Sequence, residues 1–191
     1  MLTVGANPVE VETGLLSGGL VCPVCGGSLS PWGWARARSL RGLTGSVLVR
    51  PRRSRCSSCR VSHVLLPVFA LVRRADLVEV IGAALSAKAA GAGARPIAAL
   101  LDRPVETVRG WLRTFAARAQ VLRSWFTVLQ VDIGVDPVPP AATRTPFADA
   151  VAAVLGAVVA ARSRWPRMGQ VSPWLWASAA SAGRLLAPSW P

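Results

Sequence analysis

Acidic residues are what this sequence has least of. Nine Asp and Glu stand against 22 Lys and Arg, none occurs between Glu12 and Asp76, and no glutamate follows Glu106. This shortage bears first on catalysis. A transposase or nuclease centre needs a carboxylate triad to hold two Mg²⁺ ions, yet beyond Glu106 only Asp132, Asp136 and Asp149 remain, and two of these flank a proline-rich stretch. An α/β recombinase domain with an arginine-surrounded serine nucleophile is also missing, so no enzyme is expected. The N-terminus has no basic segment and carries Glu10 and Glu12, which argues against an export signal and places the expected location in the cytoplasm, with the nucleoid. The most apolar run, residues 150 to 161, is shorter than the roughly 20 residues a membrane span needs, and no membrane partner is expected.

Arginine is what the chain has instead. Twenty-one of the 22 basic residues are Arg, the formal charge is +13 and the pI is near 11.7, a balance that favours a polyanionic partner. Part of this bias, like the Ala- and Val-rich 52% hydrophobic content, reflects a GC-rich coding genome. The distribution is more informative than the total. Ten arginines lie in the acid-free interval between Glu12 and Asp76, and their mutual repulsion is costly unless an anion neutralises it.

Four cysteines fall in two C-x-x-C pairs, Cys22 with Cys25 in CPVCGG and Cys56 with Cys59 in CSSC. Two such turns supply the four thiolates of a tetrahedral zinc (Zn2+) site, and Gly26 and Gly27 permit the positive φ such a turn needs after its second ligand. The alternatives are a redox dithiol and simple buried cysteines. A dithiol would need a βαβ setting around one pair and no second pair, so zinc is preferred. His63, the only histidine, is expected to pack at the start of a strand rather than to replace a thiolate. The 30 residues between Cys25 and Cys56 suit a β-hairpin with an arginine-rich tip.

Along the chain, residues 1 to 20 show no clear period and are expected to form a leader that is either ordered on contact or loose. Residues 21 to 70 form a small β-rich zinc module, with β-type runs at 45 to 50 and 63 to 69. Arg50, Arg52, Arg53 and Arg55 alternate imperfectly towards Cys56 and are expected to offer guanidinium groups to phosphates on one exposed face, while Trp32 and Trp34 are expected to cover the core in preference to stacking on bases. From Arg73 the period becomes helical. Residues 73 to 120 carry three helices: one over 75 to 90, a short one opened by Arg95-Pro96, and one over 105 to 119 that buries Val108, Leu112 and Phe115. Residues 121 to 191 read as further helices around a linker at 136 to 145. Thr145-Pro146 and Ser172-Pro173 mark helix starts and Gly183 a C-terminal cap. The fold class is α+β, mostly α. Residues 146 to 161 are apolar nearly all round and need a cover, either the rest of the chain or a second copy in a homodimer.

The segment IAALLDRPVETVRGWLRTF, residues 97 to 115, resembles the helix-turn-helix of homeodomain-like resolvases and insertion-sequence transposases through Ala98, Leu101, Thr107, Val108, Trp111 and Leu112. Asp102 stands where that family has glycine, and Arg103 where it has an apolar turn residue, which is expected to weaken the packing of the turn. Residues 21 to 120 as a whole resemble a group of high-GC, actinobacterial-type bacterial proteins in which a CPxCGG zinc ribbon with PWGWARAR precedes TVRGWLR, similar to the DNA-binding N-terminal part of a transposase. The resemblance implies double-stranded DNA as partner. It also implies that Val105, Glu106, Arg109, Gly110 and Arg113 line the outer face of a recognition helix, with Arg109 on guanine, Glu106 on cytosine if on any base, and Arg113 and Arg118 on phosphates. Two functions are therefore expected of the residues: a transposase-like or regulatory DNA-binding protein without a catalytic domain, or a zinc-ribbon adaptor for a protein partner such as a recombinase or polymerase subunit.

Overall fold

The computed structural model describes residues 1–169, 171–188 and 190. Its first third is built on three antiparallel strands, β2 (Leu29–Trp34), β5 (Arg52–Cys56) and β6 (Ser62–Pro67). A short strand, β1 (Leu2–Val4), runs parallel to β6 and pairs Leu2 with Leu65, so the sheet order is β1-β6-β5-β2. Helix α1 (Pro8–Leu16) starts at Asn7, whose side chain accepts from the Val9 N–H at 3.0 Å. Leu15 then joins Cys22, Leu29, Cys56 and Leu65 in a small core, with Leu2, Val4, Val11 and Leu20 packed against it. Residues 1 to 20 are thus ordered by contact with the sheet rather than loose. A three-residue strand leaves no periodicity to read, and its pairing partner lies some sixty residues away.

The interval between the cysteine pairs holds a separate two-stranded hairpin, β3 (Arg38–Arg41) and β4 (Ser46–Val49). Its tip is Gly42, Leu43, Thr44 and Gly45, so the expected arginine-rich tip is not found. The arginines follow β4 and occupy β5. Leu40 and Val49 of the hairpin close a second small core with Leu66 and Ala70.

The rest of the chain is helical: α2 (Val78–Ala89), α3 (Ala94–Leu101), α4 (Val105–Ala116), α5 (Ala119–Ile133), α6 (Pro146–Arg164) and α7 (Pro173–Ala180). The apolar stripe of α4 is buried as its spacing implies, with Val108, Trp111, Leu112 and Phe115 facing the main core. The helix expected over 105 to 119 ends at Ala116, because Arg118 leaves helical dihedrals at φ −125° and ψ 11°, and Ala119 already opens α5, the next helix. The caps at Thr145 and Ser172 are present, with their side-chain oxygens accepting from the Ala148 and Trp174 N–H groups. Gly183, at φ 70°, donates its N–H to the Ser178 carbonyl.

Helix α6 extends beyond the apolar run on both sides. It is long and apolar enough to cross a membrane by length and composition, and 56% of its most apolar window is buried inside the protein. Ala150, Val151, Ala153, Val154 and Ala157 lie in the main core, where the small alanine side chains suit close helix packing, and Ala161 is also buried. The chain itself covers part of this helix, while Leu155 and Val159 stay exposed. Gly82 on α2 plays a similar part, because a Cβ there would collide with the indole of Trp174, whose Nε1 donates to Ser86 Oγ at 3.2 Å. The proline-rich connection is tied down at both ends: Gln130 Nε2 donates to the Val138 carbonyl at 2.8 Å, and the Thr143 N–H donates to Asp149 Oδ1 at 2.5 Å.

Candidate metal centre and basic surfaces

The two cysteine turns face each other because backbone hydrogen bonds hold each one and then join the two. In the first, the Gly26 N–H donates to the Cys22 carbonyl at 2.8 Å and the Cys22 N–H to the Gly27 carbonyl at 2.7 Å. In the second, the Cys56 N–H donates to the Val61 carbonyl at 2.9 Å. The Ser57 N–H crosses to the Ser28 carbonyl at 3.0 Å and fixes one turn against the other. The turns are also conformationally alike: the residue after the second cysteine is left-handed in both, Gly26 at φ 73° and Arg60 at φ 63°. Gly27 serves a different purpose from Gly26, since a Cβ there would lie 3.1 Å from Cys56 Sγ and collide with Ser58.

The four sulfurs all lie within 4.8 Å of one another, Cys22 to Cys59 at 3.7 Å and Cys25 to Cys56 at 3.5 Å. A tetrahedron with metal–sulfur bonds of about 2.3 Å has edges of about 3.8 Å, so the donor set fits a four-coordinate thiophilic ion such as zinc. The thiol electrostatics agree. Burial pushes the Cys56 thiol up, but the Cys59 and Ser58 N–H groups, with the Cys25 and Cys59 thiols, outweigh it and pull it down to about 6. At Cys59 the Val61 N–H pulls down, whereas burial and the three neighbouring sulfurs push up, and the thiol ends at about 12. One thiolate is welcome and a second is opposed by the first, a conflict that a divalent cation resolves.

His63, expected as a packing residue, is buried on β6 with Nε2 3.3 Å from Cys22 Sγ. Burial holds its pKa below the usual histidine value, which leaves a neutral ring able to donate to a thiolate sulfur. Placing this contact required knowledge of strand register, since His63 pairs with Ser54 on β5.

The basic residues of the ribbon are arranged differently from the single exposed face expected. By strand alternation Arg52, Ser54 and Cys56 share one side of β5, and Arg53 and Arg55 the other. A bulge between Pro31 and Gly33 on β2 then separates the tryptophans. Trp32 stacks with Arg55, the guanidinium carbon 4.6 Å from the ring centre, and Trp34 with Arg52 at 4.6 Å and Arg50 at 5.7 Å. Both rings are about half exposed, 53% and 51%, so they do not cover the core. Arg52 is further held by Glu12 at 2.8 and 3.0 Å and by the Gly33 carbonyl at 2.8 Å. Arg53 remains exposed.

No family model, curated protein sequence or solved structure matches the chain.

Helices α3 and α4 are joined by Asp102, Arg103 and Pro104. Asp102 adopts the left-handed conformation, φ 50° and ψ 56°, at the end of α3, a region Asp tolerates better than most residues. Arg103, expected to weaken this turn, holds it instead: its side chain is 8% exposed and donates to Asp76 Oδ1 at 2.7 Å and to the carbonyls of Leu101, Asp102 and Gly42. On the outer side of α4, Glu106, Arg109 and Arg113 are exposed, and Glu106 and Arg109 form an i,i+3 ion pair with each other. Arg118 points elsewhere, hydrogen-bonded to the Ala187 carbonyl.

Proposed function

We propose that the protein binds double-stranded DNA, with a zinc ion stabilising the ribbon and the α3–turn–α4 unit acting as a helix-turn-helix that enters the major groove. The observation that carries this reading is the two-sidedness of α4: Trp111, Leu112 and Phe115 anchor it from behind while Arg113, and Arg109 in its ion pair with Glu106, are exposed in front, on a chain of net charge +13. A helix so held can present guanidinium groups to guanine edges and phosphates. Cys22, Cys25, Cys56 and Cys59 would hold the zinc ion, whose contribution is structural. On the ribbon, Arg53 and the Arg55–Trp32 pair are the better phosphate contacts, since Arg52 is already satisfied by Glu12. A regulatory or mobile-element role without a catalytic step belongs to the same reading. A homodimer would read two half-sites through exposed Val121 and Val128 of α5 and Val159 of α6.

The test is fluorescence anisotropy of a labelled random duplex with zinc-loaded protein. Affinity should fall steeply as salt rises, by about 0.9 in log–log slope for each phosphate neutralised, and binding-site selection should enrich a motif. No binding to any duplex at low salt would remove the proposal.

A second reading has its own support. On β4, Val47 and Leu48 are exposed, the latter at 77%, beside a cavity of about 330 Å³ walled by Trp34, Val11 and Phe69. An adaptor that takes a protein partner along this edge would show little salt dependence towards DNA.

A further inference from the structure

Five arginines of this chain meet at the seam between the sheet and the helical body with no acid among them. One cavity of about 540 Å³ is lined by Arg73, Arg74 and Arg184, and an adjoining one of about 210 Å³ by Arg36, Arg38 and again Arg73. Met1, Val72 and Arg73 border both, so the two hollows are neighbours. None of the five has a carboxylate within ion-pair distance among the described residues, although Arg41, Arg52, Arg103, Arg109 and Arg123 each have one.

The seam also carries local costs. Nε of Arg38 and Nε of Arg74 are buried without a hydrogen-bond partner. Burial lowers the Arg38 pKa, which means that the charged form is held where water solvates it poorly. Arg73 sits in the left-handed region at φ 59°, a conformation that non-glycine residues keep only when the surroundings require it. Arg74 is aimed by its bond to the Leu186 carbonyl at 3.1 Å. Unsatisfied guanidinium donors and like charges gathered in one place are both relieved by an anion with several acceptor oxygens.

We propose that this seam is a phosphate-binding site, made by Arg36, Arg38, Arg73, Arg74 and Arg184. Guanidinium groups fork onto pairs of phosphate oxygens, and the neighbouring hollows have room for a phosphodiester or pyrophosphate unit. The phosphate comes either from a DNA backbone, in which case the site extends the contact surface proposed above, or from a small phosphate ester. The site does not depend on the helix-turn-helix reading, because it lies on other residues.

The experiment compares the full chain with a triple variant, R36Q/R73Q/R184Q, in which every changed side chain is exposed. A second triple variant, R144Q/R164Q/R167Q, has the same net charge and changes exposed residues outside the seam. Each is titrated with inorganic pyrophosphate by calorimetry and with a labelled duplex across salt concentrations. Circular dichroism and melting temperature verify that all three are folded. A DNA source predicts that the seam variant loses about 2 to 3 units of log–log salt slope while the control variant stays near wild type. A small-ester source predicts pyrophosphate binding that the seam variant loses at least tenfold and the control keeps. Either result supports the site, and duplex binding that fails throughout while pyrophosphate binding is lost only in the seam variant overturns the DNA reading alone. Equal behaviour of the two variants in both titrations overturns the site and leaves the DNA reading standing.

Discussion

Arg103 Nε lies 2.7 Å from Oδ1 of Asp76, and the other oxygen of that carboxylate accepts from Arg41 Nη2 at the same distance. Asp76 is 2% exposed. One buried carboxylate therefore joins the hairpin strand β3 to the turn between α3 and α4, and Arg103 adds a bond to the hairpin carbonyl of Gly42. The ribbon and the helix pair are held in a fixed relation by this clamp.

Replacing Asp76 with Asn should then be strongly destabilising. It leaves Arg103 buried beside a neutral amide, and breaking one side of a buried ion pair costs about 3–5 kcal/mol. Urea denaturation followed by tryptophan fluorescence measures this directly. A loss below about 1 kcal/mol, the range of surface pairs, would show that the clamp contributes little.

Metal removal should unfold the front of the molecule and spare much of the helical body. Elemental analysis is expected to find one divalent ion per chain, and chelation or Cys56→Ala to abolish it, because binding free energy at such sites is folding free energy. Hydrogen exchange would report the change as lost protection in β2, β5 and β6 with α5 and α6 still protected. A metal-free preparation with the same exchange pattern would argue against a structural ion.

Glu106→Ala should strengthen duplex binding. The substitution removes an anion from the outer side of α4 and frees Arg109 from its ion pair, and an exposed pair of this kind is worth about 0.2–1 kcal/mol, so the gain in affinity is expected to be about 1.4- to fivefold. Arg109→Ala should have the opposite effect and relax preference at one base pair. A weaker Glu106→Ala complex would mean that the carboxylate itself contacts a base.

Asp149 offers a pH test. The Thr143 N–H, then its hydroxyl, hold the carboxyl below its ordinary value of 3.8, with Arg123 at 3.4 Å adding to the effect. A depressed carboxyl contributes stability that is complete above the unfolded-state value and is lost as pH falls through the folded-state value. The stability difference between wild type and D149N should accordingly be constant above about pH 5 and shrink as the pH is lowered below about 4. Chemical denaturation at a series of pH values tests the sign, and a difference that grows on acidification would refute it.

The parts legible in the sequence were those written in local spacing. The two cysteine turns, the buried stripe of α4 and the caps at Thr145 and Ser172 each occupy a few consecutive residues, and all are found where the pattern puts them. What escaped is set by partners distant in sequence. Glu12 and Asp76 bound the acid-free interval, and each folds back to neutralise an arginine from inside it, Arg52 and Arg41. No periodicity reports such a pairing. The tryptophans escaped for another reason: alternation predicts one side for Trp32 and Trp34, and a single bulge moves one of them to the opposite side.

The parallel pairing of Leu2–Val4 with Leu65–Pro67 has a consequence for synthesis on the ribosome. The first residues to emerge have no strand to join until β6 is outside the exit tunnel, so the small core beneath α1 is completed late by a segment made early. A bulky fusion ahead of Met1 would be positioned at this closure, next to the arginine-lined seam.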